Sequence, residues 1–487
     1  MRARRLVACG LLACFGTSCA VGPDYVRPPV TAPDEFRAEV GPAEAASIAN
    51  LPWWEVFDDA ALKQLVDEAI AANYDLRIAV QRVEQARASA AIARSPFYPQ
   101  IDYQVNGGTQ RQPLPGGTTT ATSDYVYGAV SLAWEIDVWG RIRRSSEAAR
   151  ENLLATEQVR RGVLLSLVTI VAQSYLTLLE LDRELEIARA TTESFQETLN
   201  LFQRRFEGGV GNQLQVSRAR AALAQTQAQV PELERRIVVQ ENLISALLGR
   251  NPGPVARGRA FDQQSVPPET PPGLPSELLE RRPDILRAEH EIATANANVG
   301  VAIANFFPKI GLTALYGGQS VELAEIASGS FSFWNVAGNA AGPLFQGFAL
   351  LQQYRGQKAV WEEARARYEQ TVINAFAEVS DTLIARQKLG ESRSAQEIAV
   401  AAYQESVRLS RIRYDEGLAS YFEVLDSQQL LFPAEIRLAQ VQLQQLLAVV
   451  TLYRALGGGW EIPDAQWREA PAPVSGDRPL QGDALTE

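Results

Sequence analysis

The sequence predicts a mainly α-helical chain that carries transmembrane β-structure, assembled from two tandem helix, β-hairpin and long-helix repeats. Internal repetition is the first observation behind that prediction. Arg205-Phe-Glu-Gly-Gly-Val-Gly-Asn-Gln-Leu-Gln-Val216 aligns with Arg413-Tyr-Asp-Glu-Gly-Leu-Ala-Ser-Tyr-Phe-Glu-Val424 at an offset of 413 − 205 = 208. Phe97-Tyr-Pro-Gln-Ile101 aligns with Phe306-Phe-Pro-Lys-Ile310 at 306 − 97 = 209. Asp75-Leu76 with Ala79, Val83 and Ala86 matches Asp284-Ile285 with Ala288, Ile292 and Ala295 at the same 209. The second observation is a proline-free apolar heptad after Gly140, and the third is a set of short stretches in which apolar and polar residues alternate.

The chain opens with a segment that is not part of the fold. Arg2, Arg4 and Arg5 precede an apolar run from Leu6 to Phe15, followed by Gly16, Thr17, Ser18 and Cys19. Residues 1–18 therefore read as a secretory signal, too short to span a bilayer as a mature helix. A Cys after small residues points to a bacterial lipoprotein in which Cys19 is the first mature residue, bearing N-palmitoyl and S-diacylglycerol groups. No other cofactor is expected. Gly16 stands where such cleavage sites usually carry Leu; Leu6-Val-Ala-Cys9 fits that pattern better but leaves almost no apolar run. The alternative is ordinary cleavage near Ser18 with a free thiol, a liability in an oxidising compartment.

An acylated extended segment, 19–59, leads into repeat 1 at 60–250; a Pro/Gly-rich linker, 251–275, separates it from repeat 2 at 276–457, and 458–487 form a tail, partly disordered. In repeat 1 the spacing predicts a helix from Ala60 to Ser95, ended by Pro96 and Pro99. Ile101, Tyr103 and Val105, then Val126, Val130, Leu132, Trp134 and Ile136, share one parity on either side of the Gly/Thr-rich stretch 113–123, which predicts two strands of about ten residues. The second copy is fainter: Ile310, Leu312 and Ala314, a loop around Ala327 to Ser330, then Phe331 and Phe333.

From Gly140 to Glu207, apolar residues from Leu164 through Tyr175, Leu185, Phe195 and Phe202 to Phe206 step by three or four, so about 60 residues make roughly 90 Å of helix. A returning helix spans Leu214 to Leu248, and Gln357 to Tyr414 with Tyr421 to Leu456 repeats the pair. Pro231 and Pro433 predict kinks or breaks in the returning helices. Gly162 to Leu179 is uncharged and long enough to mimic a membrane span, but Ser166, Thr169, Gln173, Ser174 and Thr177 stripe it at helical spacing, which predicts a helix packed on both sides.

Composition excludes most catalytic designs. All three Cys precede residue 20, and His290 is the only histidine, so neither a thiolate centre nor a two-His metal site is available in the mature chain. With 46 basic and 57 acidic residues the net charge is −11; removing residues 1–18 takes three Arg and no acid, giving 43 − 57 = −14. That balance and the absence of a basic stripe argue against nucleic acid. No phosphate-cradling glycine motif occurs in a suitable context, so energy for transport must come from a partner.

Two hairpins supply four strands near bilayer-crossing length. An open four-stranded sheet would leave unpaired edges in lipid, so it must close with other copies. Two chains would make a filled eight-stranded barrel, and three a twelve-stranded one with a lumen. Soluble hairpins in a structural periplasmic coiled-coil lipoprotein remain an alternative, and a hydrolase using only carboxylates a more distant one.

Five segments carry a family resemblance: Val21-Gly-Pro-Asp-Tyr-Val-Arg-Pro28, Trp134-Glu-Ile-Asp-Val-Trp-Gly-Arg-Ile-Arg143, Arg281-Arg-Pro-Asp-Ile-Leu-Arg-Ala-Glu289, Gly342-Pro-Leu-Phe345 and Leu452-Tyr-Arg-Ala-Leu-Gly-Gly-Gly-Trp460. The chain resembles the TolC-like outer-membrane factors, in their OprM/NodT-like lipoprotein branch, over nearly its whole mature length. The resemblance implies a homotrimer with a twelve-stranded outer-membrane barrel, continuous with a periplasmic α-helical barrel. It implies the exit duct of a tripartite efflux system, with a periplasmic adaptor and an inner-membrane RND transporter, exporting drugs or other small molecules. A type I protein secretion duct is the alternative within the class.

The resemblance also implies an iris-like gate at the second-repeat turn. Glu423 and Asp426, three apart, share a helix face and under threefold symmetry would stack as two carboxylate rings; Phe422 falls where a relative has an apolar gate residue. Such rings attract cations and raise one another's pKa. Solvated acids near a helix start are the simpler reading of the residues alone. Gly208, Gly209, Gly211 and Gly417 serve the tight turns and, by resemblance, the adaptor-contact tips. Ala419 occupies the place of an interchain Arg in one relative, and Gln215 stands where many carry an acid.

Overall fold

The computed structural model describes residues 20–33, 36, 59–113, 120–264, 275–322 and 332–458; Cys9, Cys14, Cys19, the signal segment and the tail after 458 lie outside them. In chain order the elements are α1 (Ala60–Ala72), α2 (Tyr74–Arg94), β1 (Gln100–Pro113), β2 (Thr120–Ile136), α3 (Arg141–Glu207), α4 (Gln213–Leu247), α5 (Leu278–Arg281), α6 (Pro283–Ala304), β3 (Lys309–Ser320), β4 (Ser332–Ala341), α7 (Ala349–Asp415) and α8 (Tyr421–Ala455). Helices α3 and α7 are each 67 residues long and α4 and α8 each 35, with starts offset by 349 − 141 = 421 − 213 = 208. Left-handed backbone recurs at the same offset of 208, at Gly140 and Phe348, Gly209 and Gly417, Gly249 and Gly457.

The chain divides into two compact units. The first, residues 1–30, 81–158 and 285–371, contains the sheet. Its four strands run β1-β2-β3-β4, each pair antiparallel. At 14 and 17 residues β1 and β2 exceed the expected ten or so, because regular pairing carries β1 past Gly107-Gly108 to Pro113 and starts β2 at Thr120, inside the stretch expected to be loop. Helix α6 packs on the start of α3, with His290 Nδ1 2.8 Å from Glu151 Oε2, so the single histidine is a structural, hydrogen-bonded side chain.

The second unit, residues 31–80, 159–284 and 372–487, holds the main core. Leu164, Val168, Val171, Tyr175, Leu178 and Leu181 of α3 are buried there with Leu62, Leu65 and Val66 of α1, Ile244 of α4 and Leu446, Val449 and Leu452 of α8. The apolar stretch of α3 that imitates a membrane span is 61% buried. Its polar stripe is satisfied locally: Thr169 Oγ1 donates to the Leu165 carbonyl and Thr177 Oγ1 to that of Gln173. The connection after α4 joins the core through Val255 and Phe261, while Gly258 N–H donates to Tyr175 Oη at 2.8 Å.

Three expectations are corrected. The helix expected from Ala60 to Ser95 breaks at Asn73, which turns extended (φ −60, ψ 130), caps α2 by accepting from Leu76 N–H and donates Nδ2 to the Leu247 carbonyl at 2.9 Å. Pro231 and Pro433 break neither α4 nor α8, since a missing donor inside a long helix costs one bond while the rest of the ladder and the buried Leu233 and Ala434 beside them are kept. Phe206, the last residue of the apolar ladder, is exposed because it lies at the helix end beside the turn.

Candidate functional site

Register decides which side chains share a sheet face. Tyr103 opposes Val130, Val130 opposes Tyr316 and Tyr316 opposes Trp334, making one row across all four strands. The neighbouring row is Ile101, Leu132, Ala314 and Val336, and Trp134 with Leu312 extends the same face. This face is apolar yet exposed: Tyr103 is 83%, Trp334 75% and Val336 70% accessible. The opposite face is more polar, carrying Asp102, Ser131 and Asn335 with Gln104 and Asn106 along β1, interrupted by Leu315 and by Tyr127 stacked on Phe333 at 5.7 Å. A sheet with an apolar exposed face and a more polar opposite face is what a bilayer-spanning barrel wall requires. Among the described residues β1 and β4 each pair on one side only.

At the helix-bearing end of the sheet, Phe97 and Tyr98 precede β1, Trp139 follows β2 and stacks on Phe307 at 4.6 Å, and Phe345 and Phe348 follow β4. Trp134 Nε1 donates to the Phe97 carbonyl at 3.1 Å and Trp139 Nε1 to that of Pro308 at 2.8 Å. These rings make the aromatic girdle expected at a membrane interface. The N-terminal arm is laced to the same end. Val21 N–H donates to the Trp139 carbonyl, Arg144 Nη2 lies 2.6 Å from Asp24 Oδ1, and Arg27 pairs with Glu289 at 2.7 Å. Gly140 (φ +78) is required here, because a Cβ would fall 2.7 Å from Ala20 Cα.

In the second unit the two helix-pair turns meet. After α3 the chain reverses through Gly208, Gly209 (φ +75) and Gly211, and Asn212 caps α4 in a reciprocal capping box with Gln215. After α7 it reverses at Gly417 (φ +72), where the Leu418 amide donates to the Arg413 carbonyl. Phe195, Leu199 and Phe202 of α3, Val216 and Leu223 of α4, and Tyr421, Val424 and Leu425 of α8 form a cluster of their own beneath these turns. Tyr421 is its hub, edge-on to Phe202 at 4.5 Å and to Tyr414 at 4.8 Å, with its hydroxyl 2.6 Å from Thr198 Oγ1. Phe422, Glu423 and Asp426 sit on the opposite, exposed side of α8. Arg218 of α4 lies over the Phe422 ring at 5.3 Å, and Arg413 Nε is 3.6 Å from Glu423. Among the described residues no cluster of His, Cys, Asp and Glu could hold a metal.

The outer membrane efflux protein family model matches residues 65–250 and 274–458. The chain belongs to that family. This efflux protein is 37% identical over 453 residues to the solvent efflux pump outer membrane protein SrpC of Pseudomonas putida, covering 91% of this chain and 96% of SrpC. It is 33% identical over 451 residues to the cation efflux system protein CusC of Escherichia coli K12, covering 91% and 97% of the two chains. Its fold superposes on the open-state outer membrane channel MtrE of Neisseria gonorrhoeae with TM-score 0.83 and 30% identity, over 91% of this chain and 99% of MtrE. It is an outer-membrane efflux channel protein and not an enzyme.

The sequence reading of the efflux protein missed Arg218, Arg413 and Tyr421 at the turns. A signal for Arg218 was present, since 426 − 208 places it at the repeat equivalent of Asp426. The first repeat thus presents a guanidinium where the second presents a carboxylate. Nothing in the sequence marks Tyr421 apart from other aromatic residues, because its role depends on partners from α3 and α7.

Proposed function

We propose that this efflux protein works as a homotrimeric exit duct, three copies closing their sheets into a twelve-stranded outer-membrane barrel continuous with a periplasmic α-helical barrel. The carrying observation is the sheet, apolar on one exposed face and, among the described residues, unpaired beyond β1 and β4. Unpaired backbone in hydrocarbon costs several kcal/mol per group, so the edges close against other copies, and twelve strands leave a lumen where eight do not. Cys19 carries the N-palmitoyl and S-diacylglycerol anchor; the seat of Ala20 against Gly140, at the girdle end of the sheet, supports this.

The turns at Gly208, Gly209, Gly211 and Gly417 dock a periplasmic adaptor coupled to an inner-membrane RND transporter, a reading supported by exposed Val210 and Leu418 at their tips. Phe422, Glu423 and Asp426 form the gate, and their threefold rings make the constriction cation-preferring. The cargo is small molecules selected by the pump; the relatives SrpC and CusC are named for solvent and cation efflux.

Purified protein should show the mass of three chains and conduct ions in planar bilayers, whereas a monomer without conductance overturns the duct. For the gate, Glu423→Ala with Asp426→Ala should raise leak current and lower cation preference; unchanged selectivity and conductance remove the gate assignment. Cys19→Ser should abolish palmitate labelling, and persistent labelling would move the anchor to another Cys.

A further inference from the structure

The first unit contains a cleft of about 800 Å³ between the end of α2 and the start of α3. Arg87, Arg94, Arg143 and Arg150 line it, with Phe97 on its wall. Its two acids already have partners, Glu147 in Arg144 at 2.9 Å and Glu151 in the His290 ring at 2.8 Å. Of the four arginines, Arg87 pairs with Glu84 and Arg143 with Asp137. Arg94 and Arg150 have no ion-pair partner among the described residues, so the cleft holds uncompensated positive charge in a chain of net −11.

Its place in the fold specifies the ligand. Arg94 and Phe97 lie just before β1, and Arg143 just after β2, at the end of the sheet that carries the aromatic girdle. The Phe97 carbonyl accepts from Trp134, whose ring stands on the apolar sheet face, so this end of the cleft adjoins the lipid-side face. We infer that the cleft binds the phosphate of an anionic phospholipid in the helix-side leaflet of the outer membrane, with Arg94 and Arg150 supplying charge-assisted hydrogen bonds and Phe97 the apolar wall beside the glycerol. The inference rests on the sheet being the membrane span, and on neither the gate nor the cargo. Barrel closure would bring the start of the next copy's α7 beside α2, where its opening turns carry Arg355 and Lys358 and no acid before Glu362.

The test is lipid binding by the full-length purified protein, read by native mass spectrometry and by titration with phosphatidylglycerol or phosphatidylcholine at low salt. Wild type should prefer phosphatidylglycerol, and Arg94→Gln with Arg150→Gln should reduce that preference about thirty-fold, two arginines' worth of attraction to an anionic headgroup. Arg94→Lys with Arg150→Lys should keep most of it. Bilayer conductance of the Gln pair should equal wild type, showing a folded channel, so that loss of lipid and failure of the duct are distinguished. Equal lipid preference in wild type and the Gln pair overturns the site. Full displacement of phosphatidylglycerol by inorganic phosphate overturns the lipid assignment in favour of a soluble anion.

Discussion

Arg282 offers the most direct check on how the second unit is held together. Its side chain is 10% exposed. Nε and Nη2 meet both oxygens of Asp284 at 3.0 and 2.8 Å, while Nη1 reaches Glu378 Oε2 at 2.9 Å and donates to the Ala455 carbonyl at 2.7 Å. One guanidinium therefore ties the start of α6 to α7 and to the last turn of α8. Arg282→Met keeps the apolar stem and deletes the charge. Breaking a buried pair from one side costs about 3–5 kcal/mol. The lower end applies, since Asp284 is half exposed and Glu378 keeps Arg454 at 2.6 Å. The Ala455 carbonyl loses its side-chain donor. The expected loss is about 3 kcal/mol of unfolding free energy, measured by urea unfolding in detergent micelles. As an internal reference, Arg287→Met, which loses an exposed pair with Glu291, should cost under about 1 kcal/mol. Arg282→Met with Glu378→Leu should recover part of the loss. If Arg282→Met unfolds within about 0.5 kcal/mol of wild type, the clamp is not a stabilising element and the reasoning fails.

Three further outcomes follow from the same structure. Asp59 is buried, which pushes its carboxyl up, but hydrogen bonds from Gln264 and the Leu62, Arg259 and Ala61 amides outweigh this and hold it below the usual carboxylate range. Its contribution is present above the unfolded value and lost as pH falls through the folded one, so the gap between wild type and Asp59→Asn, about 1–2 kcal/mol near neutrality, should shrink on acidification; a pH-independent gap contradicts this. Burial, with Glu184 beside it, raises the Glu180 carboxyl well above its ordinary value. Ionising it costs the folded state as pH rises from the ordinary carboxylate value toward the raised one. Glu180→Gln should therefore raise the melting temperature more near about pH 8 than near about pH 5, and an equal gain at both refutes it. Gly140→Val should cost about 1–3 kcal/mol from the left-handed backbone and the contact with Ala20, freeing the N-terminal arm to proteolysis; unchanged cleavage kinetics would show the arm is held elsewhere.

Much of the fold was legible because periodicity is local. An apolar step of three or four residues specifies α3 whatever lies around it, and parity along β1 and β2 names the membrane face before any pairing is known. Glycine turns were legible for the same reason, since a left-handed residue is a property of one position. The break at Asn73 was not, because an Asn can cap a helix or lie within one and its deciding partner, Leu247, is 174 residues away. The segment Arg281-Arg-Pro-Asp284 was readable as a family signature, but its physical work, one buried guanidinium meeting Asp284, Glu378 and the Ala455 carbonyl, was not.

The sequence by itself determined the element types, the 208-residue spacing, the absence of thiol and two-His chemistry, and the acids at 423 and 426. The tertiary structure alone decided that Arg218 covers Phe422, that Tyr421 joins both turns, and that four arginines share a cleft whose acids are already paired. The division has a physical cause: backbone conformation answers to neighbours within a few residues, whereas electrostatic and packing partners are fixed by which surfaces the folded chain brings together.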